Sequence, residues 1–182
     1  FKVTKAPAKI DDAEMANGNT YFLAWTTTPW TLPSNLGLCM GPEIDYVKIL
    51  DKASGDYYIL AQARLSAYYK NEEDYQIIYT LKGSDFIGAK YEPLFPFVEL
   101  NKKAYYVTCD TYVTLTDGTG VVHIAPAFGE DDANVGRKYD LPFLQLVDEK
   151  GEMTEETPWA GTFCKKADPM VLQDLEDRGL LF

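Results

Sequence analysis

The chain has 182 residues, 46% hydrophobic and 25% charged, which is the composition of a folded protein long enough to bury a core. Twenty-eight acidic residues against 17 basic ones give a formal net charge of −11. This charge argues against an autonomous nucleic-acid binder, which would neutralise phosphates with basic residues. No apolar run approaches the roughly 20 residues that span a bilayer. Three scattered cysteines beside one histidine argue against a zinc site and predict reduced thiols in an intracellular protein.

The N-terminal part of the chain, residues 1–19, is a lead-in that contains Pro7 and an Asn-Gly-Asn turn at residues 17–19. Aromatic and β-branched residues then predict a strand at residues 21–27 that ends at Pro29. Pro33 and the Ser-Asn pair behind it keep residues 30–35 irregular. Further strands are predicted at residues 46–50, 57–61, 75–81, 104–109 and 120–124.

The remaining segments predict turns and a few helices. Residues 46–50 and 57–61 form a hairpin around the turn at residues 52–56, and residues 144–147 pair with residues 152–154 across residues 148–151. Residues 83–96 are a structured loop. Helices are predicted at residues 62–69, at residues 130–139, and from Asp168, a natural N-cap before Pro169, to Gly179. We therefore expect one α+β domain over residues 1–182, in which strands dominate.

Two segments carry the candidate chemistry: residues 21–35, YFLAWTTTPWTLPSN, and residues 118–132, GTGVVHIAPAFGEDD. In a strand, Thr26 and Thr28 share one face and Thr27 takes the other. Pro29 ends the pairing, so hydroxyls and backbone amides there can face a ligand. The plainer alternative is that threonine is simply a good strand residue.

The second segment offers an imidazole and carboxylates. His123 ends an apolar strand, although a lone histidine is more often structural than catalytic. Asp131 and Asp132 open a helix. Capping and the helix dipole are sufficient to explain acids at these positions, and the alternative is that one of the carboxylates binds a cationic ammonium group. Cys109, fourteen residues before His123, leaves a Cys-His hydrolase open. The residues alone predict a pocket lined by hydroxyls, one histidine and one or two carboxylates.

Together the two segments resemble the editing domain of isoleucyl-tRNA synthetase, the insertion in that class I enzyme that hydrolyses mischarged valine. The resemblance covers essentially the whole chain. Leucyl and valyl editing domains carry an arginine and an acid where this chain has Thr28 and Trp30, and valyl enzymes typically have a lysine in place of His123, so these differences favour the isoleucyl branch. The HIGH-like and KMSKS signatures of aminoacylation are absent from the sequence.

The resemblance also assigns roles to residues. Asp132 would bind the α-ammonium of the valyl group, His123 would border the side-chain pocket and exclude isoleucine, and Trp30 and Phe128 would form apolar walls. The positions implied to place the ester, the terminal ribose and the attacking water are Thr26, Thr27, Thr28, Thr31 and Asn35. Isoleucyl-tRNA synthetase is itself the standard example of a synthetase that must distinguish two amino acids differing by one methylene. A binding pocket gains only about 1–3 kcal/mol of discrimination from one methylene, so a second pocket must remove valine.

The resemblance implies a compact β-barrel-like core with short surrounding helices, and hydrolysis by water without a covalent intermediate. It implies no metal and no cofactor in this domain, although the parent enzyme would use ATP and Mg²⁺. The implied partners are the 3′ CCA end of tRNA(Ile) carrying valine and the catalytic domain of the same synthetase chain. The isolated domain is expected to be a cytoplasmic monomer without membrane contact. A non-catalytic module that docks the acceptor end or the adenylate is the alternative from another functional class.

Overall fold

The computed structural model describes residues 1–7, 10–11 and 18–182. The chain forms two compact units. The first contains Phe1–Trp25, Gly37–Glu92 and Tyr105–His123, and the second contains Thr26–Leu36, Pro93–Ala104 and Ile124–Phe182. The turn predicted at residues 17–19 begins at Asn17, which lies outside the described residues. The expectation of a single domain over residues 1–182 stays a prediction.

The first unit is built mainly of β-strands. In chain order the described strands are β1 (Val3–Lys5), β2 (Thr20–Phe22), β3 (Gly37–Met40), β4 (Asp45–Asp51), β5 (Tyr57–Ala61), β6 (Tyr75–Lys82), β7 (Lys90–Tyr91), β8 (Tyr106–Cys109) and β9 (Val121–Ile124). They form a four-stranded sheet in the order β2-β5-β4-β6 and a five-stranded sheet in the order β1-β7-β8-β3-β9. The α+β class is therefore confirmed, and among the described residues the strands make two open sheets rather than a closed barrel.

Strands rich in aromatic and β-branched residues lie close to where the sequence predicts them. β4 and β5 pair antiparallel, with Tyr46 opposite Ala61, and β6 pairs with the other edge of β4. β3 was not predicted, because its sequence GLCM contains no aromatic or β-branched residue. It pairs in parallel with β8.

The hydroxyl of Tyr46 connects three segments of the first unit. Tyr46 is fully buried, and its hydroxyl oxygen accepts a hydrogen bond from the Gly41 N–H at 2.8 Å. The same hydroxyl donates to the carbonyl of Gly120 at 2.6 Å. Because burial raises the pKa of this phenol, Tyr46 stays neutral and keeps the proton that it donates.

Short helical turns fill the rest of the first unit. The helix predicted at residues 62–69 is a 3₁₀ turn, Gln62–Arg64, followed by helix α1 (Leu65–Tyr68). A second 3₁₀ turn is Glu72–Asp74. The loop predicted at residues 83–96 contains the 3₁₀ helix Gly83–Phe86 as well as strand β7.

The second unit is mainly helical. It contains two 3₁₀ helices, Pro29–Ser34 and Pro126–Phe128, and the helices α2 (Glu130–Lys138) and α3 (Cys164–Asp177). Helix α2 has acids in its first turn and bases in its last, as predicted. The pairing expected between residues 144–147 and 152–154 is present as a single antiparallel bridge, Val147 to Met153. Within this unit, a hydrophobic cluster is formed by Val147, Met153, Cys164 and Ala167, against which Trp30, Phe128 and Trp159 pack.

The start predicted for helix α3 is wrong. The helix begins at Cys164, so Asp168 is not its N-cap and Pro169 lies inside it rather than at its first position. Pro169 lacks an N–H and loses one hydrogen bond, but only the first turn precedes it. The predicted end is confirmed: Gly179 follows the helix with φ at 70°, a conformation that glycine adopts without strain.

The described cysteines and acidic residues form neither disulfide bonds nor a metal-binding group. All three cysteines, which lie within the described residues, are buried and unbridged. Among the described positions, no group of three or more His, Cys, Asp or Glu residues is arranged to hold a metal ion. In the same part of the chain, no helix combines the length and the apolar character that crossing a bilayer requires.

Candidate functional site

The three consecutive threonines form a turn and not the end of a strand. Strand β2 stops at Phe22, five residues before the predicted end at residue 27. The Thr26 hydroxyl accepts a hydrogen bond from the Thr28 N–H at 3.0 Å, a local side-chain turn that replaces ladder pairing. The hydroxyls of Thr26 and Thr28 lie 3.4 Å apart, and Thr27 and Thr28 are exposed. Two neighbouring hydroxyls are thus presented to solvent, although not through the alternation that the sequence predicted.

The segment after the threonines, predicted to be irregular, is the 3₁₀ helix Pro29–Ser34. Proline suits its first position, because the first N–H groups of a helix have no partner within it. Thr31 is buried, and both its N–H and its hydroxyl donate to the carbonyl of Thr28, at 3.0 and 2.9 Å. The Ser34 hydroxyl accepts from the Leu146 N–H at 3.1 Å. Thr31 therefore orders the backbone that carries the exposed hydroxyls.

Asn35 directly follows this helix and is 4% exposed. Its N–H donates to the carbonyl of Leu32 at 3.0 Å and closes the last turn. The adjacent Leu36 N–H donates to the Ile124 carbonyl at 2.8 Å, a bond within the second unit. Asn35 thus lies on a backbone segment fixed at both ends.

Within the second unit, two aromatic rings join the two candidate segments. The rings of Trp30 and Phe128 meet edge to face, with centroids 5.1 Å apart and an angle of 76°. Both side chains are half-buried and pack on the hydrophobic cluster of this unit. Residues almost a hundred positions apart in the chain are therefore in contact within one unit, while their role as walls of a substrate pocket stays a prediction.

Asp132 lies at the third position of helix α2, where Gly129 is the N-cap and has no side chain to offer. One carboxylate oxygen of Asp132, Oδ2, accepts from the Ala125 N–H at 2.9 Å. Partial burial raises the pKa of this carboxyl above its usual value, while the Ala125 hydrogen bond acts in the opposite direction. A cationic ligand would favour the ionised form, so the site is suited to an ammonium group.

His123 is the last residue of the first unit, whereas all the other candidate residues belong to the second. Its side chain is 8% exposed, and burial lowers its pKa from 6.5 to about 4. At neutral pH the imidazole is uncharged. His123 can therefore line a surface or share a hydrogen bond, but it does not act there as a cationic acid.

The Cys-His hydrolase has no support in the geometry of the first unit. Cys109 is on β8 and His123 is on β9, and β3 lies between these strands. Two strand spacings separate the backbones by roughly 9–10 Å. The Cys109 thiol donates instead to the carbonyl of Gly83 at 3.3 Å.

One contact of the threonine segment has no local signal in the sequence. The Asp168 carboxylate accepts a hydrogen bond from the Trp30 N–H at 2.8 Å, across 138 residues of sequence. The Asp-Pro pair at Asp168 was interpreted as a helix start, and no local pattern indicates a partner so distant. With this bond, the N–H groups of Thr28, Trp30 and Thr31 are all engaged.

Comparison with known proteins places the chain among synthetase sequences, although no family model matches it. It is 45% identical over 181 residues to isoleucine–tRNA ligase of Clostridium acetobutylicum, covering 99% of this chain and 17% of that ligase. It is 48% identical over 172 residues to the cytoplasmic isoleucine–tRNA ligase of Mus musculus, covering 90% of this chain and 14% of that ligase. The chain thus spans less than a fifth of these relatives.

A solved structure gives the fold. The editing domain of the P. knowlesi cytosolic leucyl-tRNA synthetase matches with a TM-score of 0.70 over 97% of this chain and 87% of that one. The two sequences are 16% identical, so the likeness is one of fold. The chain is therefore homologous to a segment of isoleucine–tRNA ligases and has the fold of the leucyl-tRNA synthetase editing domains.

Proposed function

We propose that the chain is the editing domain of an isoleucine–tRNA ligase and hydrolyses the ester of Val-tRNA(Ile), and also valyl-adenylate, while excluding isoleucine. The observation that carries this proposal is the contact between Trp30 and Phe128, which joins the threonine segment to the segment that contains Asp132 within one unit. Homology with isoleucine–tRNA ligases along 99% of the chain supports the assignment of the parent enzyme to isoleucine.

In this proposal Asp132 holds the α-ammonium of the valyl group through charge-assisted hydrogen bonds. Trp30 and Phe128 form the apolar wall, and the hydroxyls of Thr26, Thr27 and Thr28 orient the ester and the water. Water attacks the ester carbonyl, the bond to the ribose oxygen breaks, and free valine leaves. The amides of Thr28, Trp30 and Thr31 are already engaged, so the threonine hydroxyls are the donors that we assign to the developing oxyanion.

The proposed partners follow from the same assignment. The domain would receive the single-stranded CCA end of tRNA(Ile), a contact of a few nucleotides, while other parts of the ligase hold the tRNA body. The formal charge of −11 fits such a limited contact. We further propose a cytoplasmic monomeric domain without its own cofactor or membrane contact, in a ligase that uses ATP and Mg²⁺ elsewhere.

The experiment is deacylation of Val-tRNA(Ile) and Ile-tRNA(Ile) by the complete ligase that carries this chain, with Asp132→Ala and Asp131→Ala as a matched pair. Asp131 lies in the same helical turn but is exposed. Asp132→Ala should slow valine removal about 10- to 100-fold, the worth of a charge-assisted bond of about 1.5–3 kcal/mol. Asp131→Ala should leave the rate unchanged.

The outcomes separate the alternatives. If both variants retain the parent rate, Asp132 serves only its helix and the ammonium site is elsewhere. If the parent ligase removes neither amino acid, the editing proposal fails and a docking module takes its place. Equal removal of valine and isoleucine would contradict the proposed exclusion of isoleucine.

A further inference from the structure

The first turn of the 3₁₀ helix Pro29–Ser34 receives its cap from a distant helix. Pro29 has no N–H, so the Trp30 amide is the first donor that this helix must satisfy. Its acceptor is Oδ1 of Asp168 on helix α3, at 2.8 Å. The next donor, the Thr31 amide, is already bonded to the carbonyl of Thr28. Asp168 therefore completes the start of the helix.

The residue in the N-cap position is Thr28, a type whose hydroxyl ordinarily accepts from one of the first amides of a helix. Within the described residues, the Thr28 side chain makes no such capping bond. Its hydroxyl lies 3.4 Å from that of Thr26, and Thr28 is exposed. The hydroxyl that would normally cap the helix is thus available for something else.

We propose that Asp168 is a positioning residue: by capping the helix in place of Thr28, it keeps the Thr28 hydroxyl beside that of Thr26 and facing the substrate. A carboxylate outcompetes a hydroxyl for an amide proton, because hydrogen bonds to ionised acceptors are the stronger ones. Without the carboxylate, the Thr28 hydroxyl turns to the Trp30 amide and leaves the site. The expected loss of editing rate rests on the proposed function. The replacement of Asp168 by Thr28 as the acceptor for the Trp30 amide, called the exchange of caps below, does not rest on it.

Helix α3 is well placed to hold the carboxylate still. The residues beside Asp168 on the buried side of this helix, Cys164 and Ala167, belong to the hydrophobic cluster on which the Trp30 ring packs. Ala167 is fully buried. The side chain and the backbone of Trp30 are therefore fixed by the same helix, so the capping geometry does not depend on a flexible surface residue.

The exchange of caps is tested first in the 182-residue chain by NMR measurement of the Thr28 side-chain rotamer and of hydrogen exchange at the Trp30 amide. In Asp168→Ala, the Thr28 rotamer should change to the one that caps the amide. Asp168→Asn keeps an acceptor oxygen and should retain the parent rotamer. The matched control is Asp174→Ala, on the same helix, whose carboxylate pairs with Arg178 at the surface. An unchanged Thr28 rotamer in Asp168→Ala overturns the inference.

The kinetic test uses the complete ligase and Val-tRNA(Ile). Asp168→Ala should lower kcat for valine removal roughly 10- to 100-fold, as expected for a displaced reacting group, with a smaller change in KM. Asp168→Asn should recover most of the rate. In a Thr28→Val background, Asp168→Ala should have little further effect, because the hydroxyl that it misplaces is gone.

Each result bears on one of the two proposals. Losses that simply multiply in the double variant would mean that Asp168 acts independently of Thr28, and the inference would fall while editing stands. A parent ligase that does not remove valine, together with the expected rotamer change in Asp168→Ala, would refute the proposed function and leave the exchange of caps in place.

Discussion

The single histidine makes folding stability depend on pH in a way that one substitution removes. His123 is buried on β9, and its pKa in the folded chain is about 4, against 6.5 for an ordinary histidine. The unfolded chain therefore binds a proton more readily than the folded one between these two values. Since stability rises with pH wherever the unfolded state holds more protons, the contribution of His123 is fully present above pH 6.5 and is lost as the pH falls towards 4.

The size of the effect follows from the two pKa values. At pH 7.5 the unfolded histidine is almost entirely neutral, so protonation destabilises the folded chain by less than about 0.1 kcal/mol. At pH 5.0 the unfolded histidine is almost fully charged, and the same relation gives about 2 kcal/mol of lost stability. For a chain of this size, that loss lowers Tm by roughly 4–8 °C.

The assay is chemical unfolding of the chain and of its His123→Gln variant at pH 7.5 and pH 5.0. The acidic residues titrate in both proteins, including Asp132, whose raised pKa acts in the opposite direction. The difference between the two pH dependences therefore isolates the histidine, even if the variant is less stable at both pH values. An equal loss of stability in the two proteins would refute the argument that burial keeps His123 neutral.

Two further substitutions test the fold and the carboxylate. Tyr46→Phe should destabilise the chain by about 2–4 kcal/mol in denaturant titrations, because it leaves the buried Gly41 N–H and Gly120 carbonyl without their partner, and a loss below about 1 kcal/mol would contradict this. Gly129 has an extended backbone that any residue adopts, but an added Cβ would lie 3.0 Å from Oδ1 of Asp132. Gly129→Ala should therefore raise KM for valyl-tRNA about two- to tenfold, with a stability loss of about 1 kcal/mol because alanine is a poorer N-cap than glycine, and an unaltered KM would separate Asp132 from substrate binding.

The strands that the sequence predicts are those rich in aromatic and β-branched residues. β4 and β5 were predicted close to their observed bounds because a hairpin turn with Ser and Gly separates two runs of aromatic and β-branched residues. β3 was missed because its sequence GLCM contains no aromatic or β-branched residue, whereas β8, which is equally buried at all four positions, reads YVTC. The Asp-Pro pair at Asp168 misled the prediction of α3, since the same dipeptide suits a helix start and is tolerated just after a first turn.

For the candidate site, the sequence predicted the kinds of groups but not their geometry. Hydroxyls, one histidine and a carboxylate were expected from two short motifs. The turn at Thr26 depends on a side chain bonding to the backbone two residues on, which competes with the strand that threonine propensity favours. The Asp168 bond depends on tertiary packing across 138 residues, which no periodicity encodes.

The protonation states constrain how such a site could work. His123 is neutral at physiological pH, and the hydroxyls of Thr26 and Thr28 lie 3.4 Å apart. A site of this composition contains no strong general base among the groups assigned to it, so its rate would depend on placing water and ester correctly. Catalysis by placement is sensitive to small rotations of a hydroxyl. The proposed control of the reaction by Asp168, through the side chain of Thr28, follows from this sensitivity.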